Sequence, residues 1–436
     1  HMMEPADLWQ QRLDTKFRDR APKVVDNPKN PGLIFVADGI EPFPVAGGFG
    51  AGRSGEELKD HMSKGYEAAR PSGWDPVERI KDQEIDGVEA EVLYTTLGMP
   101  LFGLGNADLQ RACFRTYNDW VAEFCSHNPK RLYGISLISL EDIDAGVKEL
   151  ERTQKQGMRG AMIWGSPPED KPYNSREYDP FWQAASELHM PLSLHVITGK
   201  SKESNVDFSR ISLFYMNIIH EVQRSLSTLV FGGVLDRFPQ LKIVSAENDT
   251  GWFPHFMYRM DHAYEKFHAM EKEPLPMKPS EYVRRQVWAT FQDDPVGPAT
   301  YKIFGEDNYM WASDFPHTDS TWPESRQWIK KDFAGVPEDV THKIVIVDNG
   351  SVDGSVDTVR AQWPDVTVID AKRNVGYASA NNLGIRHTQE ELILLLNSDT
   401  IVPPGALDAL VRRLRGLPDV AAIGPGLHDG LGRPEL

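Results

Sequence analysis

Apolar positions along this 436-residue chain follow two alternating patterns. Short runs are apolar almost throughout and read as strands: "GVEAEVLYT" (87–95), "RLYGISLI" (131–138), "MRGAMIW" (158–164), "PLSLHV" (191–196), "LKIVSAE" (241–247), "QVWATF" (286–291) and "NYMWAS" (308–313). Between them, stretches such as "ADLQRACFRTYNDWVAEFCSH" (107–127) and "IDAGVKELERTQKQG" (143–157) repeat apolar residues every three and four positions. That spacing marks one face of a helix. Strands that are apolar on both faces need cover on both sides, which implies a parallel sheet flanked by helices. Repeated through residues 1–342, the alternation predicts a (β/α)-barrel. An open doubly wound sheet fits less well, because no glycine-rich phosphate turn follows an early strand.

From residue 343 the alternation restarts at a smaller scale. "KIVIVDN", "VTVIDA", "ELILLLN" and "VAAIGP" read as strands, and "SVDTVRAQW", "YASANNLGIRHT" and "GALDALVRRLRGL" as the helices between them. This second α/β unit occupies 343–436. No linker rich in Pro, Gly or Ser precedes it, unlike most natural domain joints. The helix-like "VPEDVTHKI" runs straight into a strand.

Composition narrows the function. Hydrophobic residues at 40% and charged residues at 25% are ordinary for a soluble globular chain. A net charge of −17 disfavours both nucleic acid and an anionic membrane surface as partners. No apolar run reaches the roughly 18 residues of a membrane span, and the N-terminus lacks the apolar core of a signal peptide. Cys113 and Cys125 are too few for a disulfide framework or a Cys-based zinc site. A reduced, cytoplasmic protein is the expectation, with a small-molecule substrate as its partner and a homodimer left open.

A barrel keeps its chemistry at the C-terminal ends of its strands. There the sequence places His195, Glu247, the run Phe291–Gln292–Asp293–Asp294, and Asp314 with His317 behind it. A neutral imidazole and two carboxylates converging on one rim can hold a divalent cation. A carboxylate beside that cation can take a proton from a bound water. Any one of these residues alone reads as a satisfied structural group; their recurrence at successive strand ends favours a metal site. His317 reads as a supporting group or a substrate contact. His220 lies on a helical stretch and suits packing or capping. Trp252 suits the core or the wall of a pocket. The apolar loop "TTLGMPLFGLGN" (95–106) either covers an apolar substrate or packs on the barrel.

"PLSLHVITG", "GGVLDRFPQLKIVSAENDTGWFPHFMYRMDH" and "YMWASDFPHTDSTWPESR" resemble the amidohydrolase-related metal-dependent enzymes, the branch of aminocarboxymuconate-semialdehyde and resorcylate decarboxylases. The likeness spans nearly all of residues 1–342. It implies a distorted (β/α)8 barrel with a Zn, Mn or Fe centre. His195 then maps to a ligand, and Asp314 to a ligand and proton acceptor. The activity implied is hydrolysis or non-oxidative decarboxylation of a small aromatic or unsaturated acid. Two departures stand out. "AENDTG" puts Glu247 where many members carry a catalytic His, so Glu247 becomes third ligand or general base. That substitution also keeps open a dinuclear, oxygen-activating relative. The chain begins "HMMEPADLW", so His1 and Glu4 match the tail of a "D-x-H-x-x-E-P" ligand motif while its strand is truncated; "HM" is equally what cloning leaves.

The segment after the join resembles the family-2 glycosyltransferases of the GT-A type through "VDNGSVDGS", "RNVGYASANNLGI" and "LLLNSDT". The resemblance implies that Asp348 contacts a nucleotide base, with Asp353 at the following turn. It also implies that Asn397 and Asp399 hold Mn or Mg on a nucleotide sugar. The fold implied is a partial Rossmann-like unit, lacking the family's first strand and its acceptor half. "THKIV" opens the closing helix of the amidohydrolases, and "IVDNGSVDGS" replaces its continuation. The join reads as the seam of a chimera, and a chimeric chain without full activity stands as the alternative to a transferase.

Overall fold

The computed structural model describes residues 1–29, 31–200, 211–336, 345–348, 351, 354–362, 367–387, 393–395, 410 and 413. It divides into two units, His1–Val336 and Pro337–Leu436. The first unit opens with a small antiparallel sheet of β1 (Lys23–Asp26), β2 (Leu33–Val36) and β3 (Phe43–Pro44). This sheet goes beyond the alternation described above. Its signal is nonetheless present, since "KVVD" and "LIFV" flank the turn-forming "NPKNPG".

All seven expected strands of the larger sheet are present. They are β4 (Glu91–Leu93), β5 (Leu132–Leu137), β6 (Gly160–Ile163), β7 (Leu192–His195), β8 (Ile243–Ala246), β9 (Val287–Phe291) and β10 (Tyr309–Trp311). They lie side by side in chain order, and every pairing is parallel. Every position of β6, β7 and β8 is buried, which explains their unbroken apolar sequences. Helices on the flanks start where their sequences supply caps. Asp75 accepts from the Val77 and Glu78 amides ahead of Pro76–Asp86, Asn106 caps Ala107–Ser126, and Asp142 caps Ile143–Lys155. The loop 95–106 settles the choice left open above: Leu97, Leu101, Phe102 and Leu104 are all buried in the hydrophobic core.

The expected eight-stranded barrel is a half-barrel of seven strands. Among the described residues no strand lies between β4 and β10. Residues His1–Met3 cross that interval instead. The Met2 amide donates to the Tyr94 carbonyl at 2.6 Å, just past β4, and the His1 backbone nitrogen donates to the Phe315 carbonyl at 2.6 Å, just past β10. Arg79, 1% exposed, ties the two sides together. Its guanidinium grips Glu91 on β4 at 2.7 and 3.1 Å and donates to the carbonyls of His1 (2.8 Å) and Phe315 (3.3 Å).

A second tie lies nearby. Asp86 ends its helix buried and accepts from both the amide (3.0 Å) and the hydroxyl of Ser325, the first residue of the helix Ser325–Asp332. Asp86→Ala is expected to cost about 1.5–3 kcal/mol, the range for hydrogen bonds to a charged group, read as a lower urea midpoint at unchanged m-value.

The second unit pairs β11 (Val345–Asp348) with β12 (Thr367–Asp370) in parallel. The helices Ser355–Gln362 and Tyr377–Arg386 follow β11 and β12 as expected. The predicted strand at 391–397 is not seen across Ile393–Leu395, which is irregular and 41–50% exposed, so these side chains lack the cover a buried strand requires. The helix and strand expected beyond 405 fall largely outside the described residues.

Candidate metal centre

The C-terminal ends of β7, β8 and β10 deliver His195, Glu247 and Asp314 to one place, and the N-terminal segment delivers His1. His1 Nε2 stands 2.9 Å from Glu247 Oε2, 3.6 Å from Asp314 Oδ1 and 3.2 Å from His195 Nε2. His195 Nε2 is 3.0 Å from Glu247 Oε2, and His317 Nδ1 is 3.0 Å from Asp314 Oδ1. One donor atom each from His1, Glu247, Asp314 and His317 lies within 4.8 Å of all the others. The imidazoles and Asp314 are buried, while the Glu247 side chain is 32% exposed.

Both carboxylates leave their strands through backbone that a side chain seldom adopts. Glu247 has φ 57° and Asp314 φ 55°. Such left-handed residues cost of order 1–3 kcal/mol each and gather at functional sites. The loops that hold them are tied down. The Thr290 hydroxyl accepts from the Glu247 amide at 2.8 Å, and Asp294 accepts from the amides of Thr250, Gly251, Val296 and Gly297.

The outer nitrogens of the imidazoles decide what faces inward. His1 Nδ1 donates to the Thr95 carbonyl at 2.8 Å, and His195 Nδ1 to the Val196 carbonyl at 3.0 Å. A carbonyl only accepts, so each Nδ1 carries its hydrogen outward, and in the neutral form each ring turns its Nε2 lone pair to the centre. Opposite them stand Glu247 Oε2 and Asp314 Oδ1, which among the described residues have no partner besides these imidazoles. With the rings neutral, acceptors face acceptors, an arrangement that a divalent cation relieves. Imidazole and carboxylate together suit Zn, Mn or Fe. Charge shapes the acids too. Burial pushes Glu247 up, but His195 and the other cationic groups outweigh it and hold its pKa below the usual range. Asp314 is held above its usual range by burial first and then by Glu247, against the pull of His317.

Other expected site residues lie elsewhere. Glu4 is fully buried, but its carboxylate is taken up by the Thr95 hydroxyl and by the amides of Thr96 (3.3 Å) and Leu97 (2.9 Å), so it braces the β4 loop outside the donor cluster. His220 is exposed on its helix, with Nδ1 on Gln223 at 3.0 Å. Trp252 donates from Nε1 to the Asn248 carbonyl at 2.7 Å and stacks on Phe253 at 3.9 Å. Asp293 pairs with Lys331 at 3.0 Å on the surface. Thr95, Thr96 and Tyr94 were not anticipated. The Tyr94 ring lies 5.9 Å from that of His1 and 5.4 Å from that of His195, and its hydroxyl meets Ser193 at 2.8 Å. "YTT" at the very end of the first long strand was the available signal. In the second unit Asp348 is buried and accepts from the Ser351 amide at 3.0 Å. Asp353, Asn397 and Asp399 lie outside the described residues.

Residues 61–346 match the family model described as amidohydrolase. The chain belongs to the amidohydrolase family. This amidohydrolase is 24% identical to a gamma-resorcylate decarboxylase from Polaromonas sp. strain JS666, over 55% of its own length and 76% of the relative's. It is 26% identical to the 2-amino-3-carboxymuconate-6-semialdehyde decarboxylase of Dictyostelium discoideum, over 56% and 67%. Its fold is similar to that of an amidohydrolase from Mycobacterium avium subsp. paratuberculosis K-10, with a TM-score of 0.62, 20% identity, and 78% of this chain and 92% of the other covered. It is also similar to a dihydroxybenzoic acid decarboxylase from Polaromonas sp. JS666, crystallised with manganese and the inhibitor 2-nitroresorcinol (TM-score 0.50, 21% identity, 60% and 80% covered). Residues 338–434 match the model for glycosyl transferase family 2, in part only, and overlap the end of the amidohydrolase match at the seam. No helix among the described residues is long and apolar enough to cross a membrane.

Proposed function

We propose that residues 1–336 form a metal-dependent, non-oxidative carboxy-lyase acting on a small aromatic acid, with His1, His195, Glu247 and Asp314 holding one divalent cation. The observation that carries this reading is the cluster of donor atoms from His1, Glu247, Asp314 and His317 within 4.8 Å of one another, with His195 Nε2 3.0 Å from Glu247 Oε2. The decarboxylases among its relatives, and the manganese in one similar structure, support it.

The bound cation would supply a positive anchor for the substrate carboxylate and any neighbouring hydroxyl. The chain's own groups do the rest. Asp314, buried beside the centre, is placed to relay a proton to the ring carbon that loses its carboxyl group. Glu247, held ionised and partly exposed, faces the entering acid and fixes the open side of the centre. Tyr94 backs the rings of His1 and His195 and keeps water from their faces.

Purified protein assayed for release of carbon dioxide from 2,6-dihydroxybenzoate, with bound metal measured alongside, tests the reading. Bound divalent metal and activity that disappears on chelation and returns with manganese are expected. Metal content unchanged in His195→Ala, or absent from the parent protein, would sink it. The transferase reading of residues 338–434 finds support in the partial family match.

A further inference from the structure

His317 stands outside the donor set proposed above, yet its surroundings leave it few roles. Its Nε2 lies 2.8 Å from Thr96 Oγ1. A threonine hydroxyl has a single hydrogen, and Thr96 spends it on the Met2 carbonyl. Thr96 Oγ1 therefore meets His317 as an acceptor, and the proton on that imidazole sits on Nε2. The Nδ1 atom is left facing Asp314 Oδ1 at 3.0 Å. One donor atom of His317 lies within 4.8 Å of one each from His1, Glu247 and Asp314, so the ring stands inside the same cluster. His317 is 9% exposed and Asp314 8%, so water does not intervene freely. With the ring neutral and its proton on Nε2, the Nδ1 lone pair and the Asp314 carboxylate face each other in a buried place, a pairing that a cation between them relieves.

We propose that His317 is an additional metal ligand through Nδ1, and that Thr96 is the positioning residue that fixes its tautomer and ring orientation. The inference rests on the metal reading above and extends it. The donors then run from His195, through His1 and Glu247, to Asp314 and His317. Thr96 takes the place usual for a group that accepts the outer N–H of a liganding imidazole. It also donates to the backbone beside His1, so one hydroxyl orders the segments that carry both His1 and His317. The competing role for His317 is an imidazolium that pairs with Asp314 without touching the ion.

Manganese affinity and coordination separate the two. The full chain is loaded with manganese, Kd is measured by competition with a chelator, and ligating imidazoles are counted by X-ray absorption and by nitrogen spin-echo modulation. Signals from His1, His195 and His317 are expected in the parent, with one imidazole fewer in His317→Ala. Thr96→Val should weaken manganese binding by about 10- to 100-fold, the effect of removing an outer partner of a metal ligand, and Thr96→Ser should restore it. If His317→Ala proves poorly folded, the parent count and the Val/Ser pair at 96 still decide. An unchanged imidazole count in His317→Ala, or equal affinity in Thr96→Val and Thr96→Ser, overturns the inference while leaving the carboxy-lyase reading intact. A parent chain that binds no divalent ion overturns both.

Discussion

Asp314→Asn should abolish most turnover while leaving the fold intact and, without metal, more stable at neutral pH. Asparagine keeps the shape of the side chain and tolerates the left-handed backbone at φ 55°. It cannot carry the ligand charge or pass the proton, so a loss of roughly 10²- to 10⁴-fold in decarboxylation rate is expected. The stability effect runs the other way. The folded carboxyl is held above its unfolded value by burial and by Glu247. A raised acid favours the folded state below the unfolded pKa, and that advantage is lost as pH rises through the folded value. The metal-free parent thus loses stability on going to neutral pH, and the asparagine variant does not. Thermal unfolding of both proteins in chelator, across pH 4 to 8, checks this. Parallel curves would refute the assigned environment of Asp314.

Arg79→Met should cost about 3–5 kcal/mol, the usual penalty for leaving a buried charge without its partner. The residue is almost fully buried, and Glu91 depends on it: burial pushes the Glu91 carboxyl up, and Arg79 more than offsets this to hold it below its ordinary range. The His1 and Phe315 carbonyls would lose a donor at the same time. Because the Glu91 pKa is depressed, its contribution is present above the unfolded value and disappears as pH falls through the folded one. Arg79→Met should therefore flatten the acid side of the stability profile as well as lower its plateau. The double variant with Glu91→Gln should recover part of the loss, since the stranded charge is gone. Urea unfolding at pH 3 and pH 7 provides both readings.

The parallel sheet was readable because its strands are buried on both faces, and such strands carry their identity in sequence. The positions of His195, Glu247 and Asp314 followed from the same register, since each closes an apolar run. Glu4 shows the limit. It matched a ligand motif by spacing, but its carboxylate is taken up by the Thr95 hydroxyl and the amides of Thr96 and Leu97, which satisfy a buried acid without an ion. His317, read from the sequence as a supporting group or a substrate contact, does come back to the site: the turn carries its Nδ1 to 3.0 Å from Asp314 Oδ1. Which imidazole nitrogen faces inward depends on Thr95 and Thr96, distant in sequence from His1 and His317, and on the Val196 carbonyl beside His195, and no periodicity encodes that.

His1 belongs to two structures at once. Its backbone nitrogen donates to the Phe315 carbonyl past one margin of the half-barrel, its Nδ1 to the Thr95 carbonyl past the other, and Arg79 donates to its own carbonyl. If His1 holds the proposed cation, occupancy of the centre and closure of the sheet become one equilibrium. An ion that binds only the closed arrangement adds about 1.4 kcal/mol to closure for each tenfold excess over its Kd. On the proposed metal reading, metal supply would set, through mass action, how firmly the two margins of this sheet stay joined.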